Sequence, residues 1–191
     1  MPTSQDQNPE FELITLLKDG NERAYFKVLG LYKDQVARTV KGMLGDVQEA
    51  EDVGQEVFIR FFKSIDNFKG DAKISTYLTR IAINLSLNEL ERRKRKWRIF
   101  YTADKLEEKL ISDIGANPIE DVERKQIVRA AIMKLAPKYR KIVILRALQE
   151  YSFKEVAEVL QMPLGTVLSR FARAQHKLRE MLNPIVNEGK R

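Results

Sequence analysis

The sequence predicts an all-α protein, and three features carry that prediction. Apolar residues recur at three- and four-residue steps along nearly the whole chain. Only nine glycines and six prolines interrupt its 191 residues. Near the C-terminus, two helical patterns are separated by the break Gln161-Met162-Pro163-Leu164-Gly165. The expected architecture is two small helical domains joined by a flexible linker, the C-terminal one containing a helix-turn-helix.

In chain order, Phe11, Leu13, Ile14 and Leu17 predict a short first helix that ends near Asp19-Gly20. Asn21 is suited to cap a long second helix bearing Tyr25, Phe26, Leu29, Tyr32, Val36 and Val40, with Gly42 and Gly45 at its end. A third helix is expected from about Val47 to Ile65 and a fourth from about Ser75 to Arg95. A polar loop, Asp66 to Lys73, joins them and carries one aromatic, Phe68. Periodicity weakens from about Arg98 to Asn117, which reads as a linker with a short helical turn around Leu106 to Ile111. About twenty flexible residues have a typical reach of about 25 Å, enough for two domains to grip separate places on one extended ligand. Pro118 then opens a helix with Val122, Ile127, Ala131 and Leu135, and Pro137 opens another with Ile142, Leu145 and Leu148. The domains are therefore 1–97 and 118–187, with 98–117 between them and 188–191 as a tail.

The segment Tyr151 to Leu182 is the most informative. Ser152 with Glu155 three residues on is a capping-box start, and Val156, Val159 and Leu160 form the apolar stripe of a short helix. Pro163 suits the first turn of the next helix, where its missing N–H costs nothing. That helix turns Leu164, Val167, Phe171, Ala174, Leu178 and Met181 to one side and Thr166, Ser169, Arg170, Arg173 and Lys177 to the other. Small polar groups followed by arginines suit the major groove. An ordinary helical hairpin with a solvated basic face is the competing reading.

Bulk composition agrees with a nucleic-acid partner. Lys and Arg total 34 against 27 acidic residues, giving +7 and a sequence pI near 9.5. Cysteine is absent, which excludes disulfides and thiolate metal sites. No apolar run approaches a membrane span, and the polar start of the chain lacks a signal core, so a cytoplasmic location is expected. His176 is the only histidine, and no phosphate loop, nucleophile elbow or His-pair metal motif occurs. An enzyme, a cofactor or a metal is not expected.

Two further surfaces carry chemistry. Between Leu44 and Phe58 lie Asp46, Glu49, Glu51, Asp52 and Glu56 with no Lys or Arg. Val53, Val57 and Phe61 supply the core stripe, while Gln48, Asp52, Gln55, Ile59 and Phe62 line another face. That mixture suits either protein docking or plain solvation. The fourth helix buries Ile74, Tyr77, Leu78, Ile81 and Leu85 and presents a donor row of Lys73, Thr76, Arg80, Asn84 and Asn88. It runs into Arg92-Arg93-Lys94-Arg95-Lys96-Trp97-Arg98, a composition that binds phosphate and can stack on a base. The preceding loop, with Asn67, Phe68, Lys69 and Asp71, is either a connector or an enclosure for a flipped base.

Taken in order, these stretches resemble the extracytoplasmic-function (ECF) group of bacterial RNA polymerase sigma factors. DVQEAEDVGQEVFIRFF (Asp46 to Phe62) resembles the core-polymerase-binding helix, and FKGDAKISTYLTRIAINLSLNELERRKRK (Phe68 to Lys96) the promoter-melting segment. LAPKYRKIVILRALQEYSFKEVAEVLQMPLGTVLSRFARAQHKLRE (Leu135 to Glu180) resembles the C-terminal domain. The likeness implies core polymerase (β′ clamp helices and β flap) and promoter DNA as partners, and admits an anti-sigma factor. It implies docking roles for Asp52, Gln55, Glu56 and Ile59. Arg80, Asn84, Lys69, Asp71, Lys73 and Thr76 would serve the −10 strand, and Arg92, Arg93 and Arg95 its phosphates. Thr166, Ser169, Arg170, Arg173 and Lys177 would serve the −35 element. Gly54, Tyr77 and Leu168 depart from the family's usual residues. A stand-alone two-domain helix-turn-helix regulator is the alternative function.

Overall fold

The computed structural model describes residues 9–68, 70–100 and 120–188, and every regular element among them is helical. The first unit contains α1 (Pro9–Lys18), α2 (Glu22–Leu44), α3 (Gln48–Lys63), a 3₁₀ turn (Ile65–Asn67) and α4 (Ile74–Phe100). The second contains α5 (Glu120–Lys134), α6 (Pro137–Val143), a π-helical stretch (Ile144–Leu148), α7 (Phe153–Leu160) and α8 (Leu164–Glu188). The expected turn around Leu106 to Ile111 and most of the 98–117 linker lie outside the described residues, as does Lys69. Helix α4 continues past the expected boundary at 97, so the whole basic run from Arg92 to Arg98 is helical.

Local signals set several boundaries. The Asn21 side chain accepts from the Ala24 N–H and starts α2, and Gly45 ends it at φ +87°, where a side chain would be strained. Gly42, expected to help end α2, lies inside it. A Cβ there would stand 3.1 Å from both Cγ atoms of Ile144, so this glycine lets the π-helical stretch approach. The start of α4 is capped from a distance, because the Glu10 carboxylate accepts from the Ile74 N–H at 2.5 Å.

The buried stripe of α2 is Ala24, Val28, Val36, Val40, Met43 and Leu44. Phe26, expected in the core, is 71% exposed, because Ala24 and Val28 turn inward instead. Around α2 pack Leu13, Ile14 and Leu17 from α1, Val57 and Phe61 from α3, and Ile74, Leu78, Ala82 and Leu85 from α4. The same apolar cluster takes in Leu135, Tyr139, Val143, Ile144 and Ala174, so the two units share one core. A smaller cluster of Ile142, Leu145, Val156, Val159 and Val167 seats α7 against α8. Leu148, placed in the core by its spacing, is 42% exposed, because the wider π turn displaces it from the α-helical register.

Polar groups join the units as well. Arg140 is buried and donates to the Met43 carbonyl of α2 at 2.6 Å and to the Leu135 and Met133 carbonyls of its own unit. Burial pushes its guanidinium down to about 10, still protonated at neutral pH. The Gln149 amide donates to the Gln35 carbonyl at 3.1 Å and to Thr39 Oγ1 at 2.5 Å.

Gly54 presents a simple test of helix energetics, since nothing lies within 4 Å of a Cβ added there. Gly54→Ala should raise stability by about 1 kcal/mol, read as a higher urea midpoint with an unchanged slope.

Candidate nucleic-acid interface

The helix-turn-helix is closed by the expected local chemistry. Ser152 Oγ accepts from the Glu155 N–H at 3.2 Å, and Glu155 Oε2 accepts from the Ser152 N–H at 2.7 Å. The bond with the Ser152 hydroxyl leads in holding the Glu155 carboxyl below its ordinary range. Gln161 ends α7 in the left-handed region at φ 49°. Pro163 sits one residue earlier than expected relative to the helix, and its carbonyl accepts from the N–H groups of Thr166 and Val167.

Val167 and Ala174 fasten α8 to the core, and Phe171 packs edge-on against Phe153 at 5.1 Å. This leaves Ser169, Arg173 and Lys177 exposed and Thr166 and Arg170 half-buried on the outward side. The five predicted residues thus share one surface. Ser169 Oγ donates to the Thr166 carbonyl at 3.1 Å, and Arg170 Nη1 lies 3.8 Å from Met162 Sδ. Arg173, His176 and Lys177 line an open groove of about 580 Å³ with Tyr139 and Glu180. Leu164, read from its spacing as part of the apolar side of this helix, is 39% exposed, and Leu168 is 44% exposed.

On α4 the donor row divides. Lys73, Asn84 and Asn88 are exposed, as is Asp71 in the loop. Thr76 is 7% exposed and does not reach the surface as expected. Arg80 is half-buried and donates to the carbonyls of Val159 at 3.3 Å and Glu158 at 3.1 Å, both in α7. Asn84 lines a cleft of about 270 Å³ with Arg60, Ser64, Tyr77, Ile81 and Leu85. The Tyr77 hydroxyl donates to Ser64 Oγ at 3.1 Å. Phe68, one of the loop residues considered as an enclosure for a base, is buried between Phe61 and Tyr77.

The basic run is also divided. Arg92 forks onto Glu89 at 2.6 and 2.9 Å, and Arg93 donates to Glu89 at 3.1 Å and to the Leu44 carbonyl at 3.4 Å. Arg93 also pairs with Glu49 of α3 at 3.4 Å. Both were expected on phosphates, but Glu89 is nearly buried and requires cations beside it. Lys94, Arg95 and Lys96 are exposed.

On α3, Asp52 and Gln55 are exposed and Ile59 is 45% exposed, an acidic face with apolar bulk beside it. Glu56 is held by Arg60 at 2.7 Å, a surface pair of small energetic weight.

Comparison with known proteins decides the family. Residues 29–96 match the model of Sigma-70 region 2, and residues 125–178 match that of Sigma-70, region 4. The chain is 32% identical over 179 residues to the ECF RNA polymerase sigma factor SigW of Bacillus subtilis, covering 90% of this chain and 96% of that protein. This protein belongs to the ECF sigma factors. It is also 31% identical over 189 residues to the RNA polymerase sigma-H factor of Pseudomonas aeruginosa, covering 95% and 98% of the two chains. Among solved structures, CnrH in complex with the cytosolic domain of CnrY shares the fold with a TM-score of 0.69 at 22% identity, covering 93% of this chain and 99% of that one. The sigma factor RpoE of Bartonella quintana, solved with the anti-sigma factor NepR, does so at 0.66 and 20%, covering 83% and 96%. Among the described residues of this ECF sigma factor there is no cluster able to hold a metal, and no helix is long and apolar enough to cross a membrane.

The Glu89 site gives a pH prediction. Bonds from Arg92 above all, then Arg93, hold the Glu89 carboxyl below its ordinary range against the opposing effect of burial. A lowered folded-state value contributes stability above the unfolded carboxyl's range, and that contribution is lost as pH falls through the folded value. Glu89→Gln should therefore cost on the order of 2 kcal/mol at pH 7. In denaturation at pH 3 the difference from wild type should shrink.

Proposed function

We propose that this ECF sigma factor docks on core RNA polymerase through α3, takes the −10 element as single strand along α4, and reads the −35 duplex through α8. The observation that carries the reading is the separation of chemistry on one chain. An open acidic face with an exposed Ile59 lies on α3, cationic and amide donors lie on α4, and a polar, arginine-bearing face lies on a helix-turn-helix. A duplex-binding regulator that acts alone has no use for the first two.

In physical terms, Asp52, Gln55 and Ile59 give α3 a docking face whose negative charge orients the encounter while its apolar group supplies buried area. The partner surface would be the β′ clamp helices, with the β flap meeting the second unit. The cleft beside Asn84, lined by Tyr77 and Ile81, has the size and donors for an unstacked base, and Asp71 and Lys73, exposed just ahead of α4, would serve the same strand. Lys69 falls in that loop and would join them. Lys94, Arg95 and Lys96 supply phosphate contacts, Arg95 being the one of the three predicted arginines that stays free of Glu89. At the −35 element, Arg173 and Lys177 bring charge, and Thr166 and Ser169 short hydrogen-bonding groups. Units 1–97 and 118–187 divide these tasks. The protein acts in the cytoplasm without cofactor and contributes specificity rather than catalysis.

Transcription with core enzyme on a promoter library tests the whole reading, and an absence of promoter-selective product would overturn it. Asp52→Lys should reduce retention on immobilised core polymerase at least tenfold with the helical circular dichroism unchanged. Arg173→Ala should cost about 1–3 kcal/mol at a cognate −35 duplex in binding titrations and relax selectivity at one base pair.

A further inference from the structure

The run that closes α4 places cations at every position from Arg92 to Lys96, yet the helix does not offer all of them to solvent. Glu89, one turn earlier, is 8% exposed and accepts from both arginines that follow it. Arg92 meets it through Nε at 2.6 Å and Nη2 at 2.9 Å, the fork edge by which a guanidinium also grips phosphate. Arg93 is more tightly enclosed. Its Nε donates to Glu89 at 3.1 Å, its Nη1 donates to the Leu44 carbonyl at 3.4 Å, and its Nη2 stands 3.4 Å from the Glu49 carboxylate. Lys94, Arg95 and Lys96, by contrast, are exposed.

Burial decides which anion the arginines keep. A surface pair such as Arg60 with Glu56 yields easily to a competing anion, because water re-solvates the abandoned carboxylate. Glu89 has no such recourse. An arginine that left it for a phosphate would strand a nearly buried negative charge. Arg92 and Arg93 are therefore neutralised where they stand, and counterion release on DNA counts the remaining cations only.

We propose that Glu89 is a specificity determinant of this sigma factor: it withholds Arg92 and Arg93 from the phosphate backbone and so suppresses binding to non-promoter duplex. The inference rests on the assignment of the basic end of α4 to phosphates. Non-specific attraction is almost wholly electrostatic and accepts any register, so each free cation added to the helix strengthens it at every competing site. A promoter complex is fixed in register by base contacts, and an added arginine gains there only where a phosphate lies opposite. Removing the carboxylate erodes the ratio of promoter to non-promoter affinity, which is the quantity that selectivity consists of.

The test uses the full-length protein and a random-sequence duplex, with Kd followed from about 50 to 200 mM salt. Glu89→Gln should bind roughly tenfold more tightly at the low end and steepen the log–log salt slope by roughly one to two, each recovered phosphate contact adding about 0.9. A carboxylate that served folding alone would give the opposite sign, weaker binding by a less stable protein. Glu12→Gln makes the same change in net charge on the exposed side of α1 and should leave the slope unaltered. Equal steepening by that control, or an unchanged slope in Glu89→Gln, would overturn the proposal. Should Glu89→Gln lose its helical circular dichroism, Arg92→Gln compared with Arg95→Gln decides. Arg95→Gln should flatten the slope by about 0.9 and Arg92→Gln hardly at all; equal flattening would put Arg92 on phosphate and sink the proposal. With core polymerase, excess non-promoter duplex should reduce promoter transcript about fivefold more for Glu89→Gln than for wild type, and equal sensitivity would overturn the specificity role. Failure of Arg95→Gln to move the slope would instead fault the placing of α4 on phosphates.

Discussion

Burial of one stripe of α2 is the constraint from which the rest of the molecule follows. Ala24, Val28, Val36, Val40, Met43 and Leu44 can leave water only if other helices cover them, and α1, α3 and α4 do so from one side. The C-terminal end of the same stripe then receives Ile144 and its neighbours. Because side chains from both units share this cluster, α2 is at once the spine of the first unit and the seat of the second. The outer faces of α3, α4 and α8 owe their orientation to what their inner faces bury.

Charge is distributed with the same economy. A net charge of +7 would bind polyanions without discrimination if every cation were free. Instead Glu89 holds Arg92 and Arg93 against the helix, Glu56 holds Arg60, and Arg80 and Arg140 are turned onto carbonyls. Arg95 and Arg173, both exposed, stand on long helices whose positions are fixed by packing. Rigid placement of that kind favours selective contact over diffuse attraction.

Features with a local cause were legible in the sequence. Asn21, Ser152 with Glu155, and Gly45 each act within a few residues, and the helices they bound appear as expected. The five outward residues of α8 share a surface because helical periodicity alone fixes that geometry. Features with a distant cause were not legible. Gly42 looks like a terminator until Ile144 is brought against it, and Phe26 looks like core until Ala24 and Val28 take the inner face. Arg80 and Arg93 sit correctly on α4, yet their accessibility is decided by α7, Glu89 and Leu44, contacts that no spacing rule contains.

The long-range cap on α4 has a consequence of its own. Glu10 lies in the first turn of α1, but its carboxylate accepts from the orphan N–H of Ile74, where α4 begins. Any alteration at the leading edge of the chain that displaces this carboxylate would let the opening turn of α4 fray. Lys73 and Thr76 would then lose their fixed register while the distal turns, around Asn84, stayed ordered. Damage to the N-terminal helix would thus surface as a defect at one end of the α4 donor row.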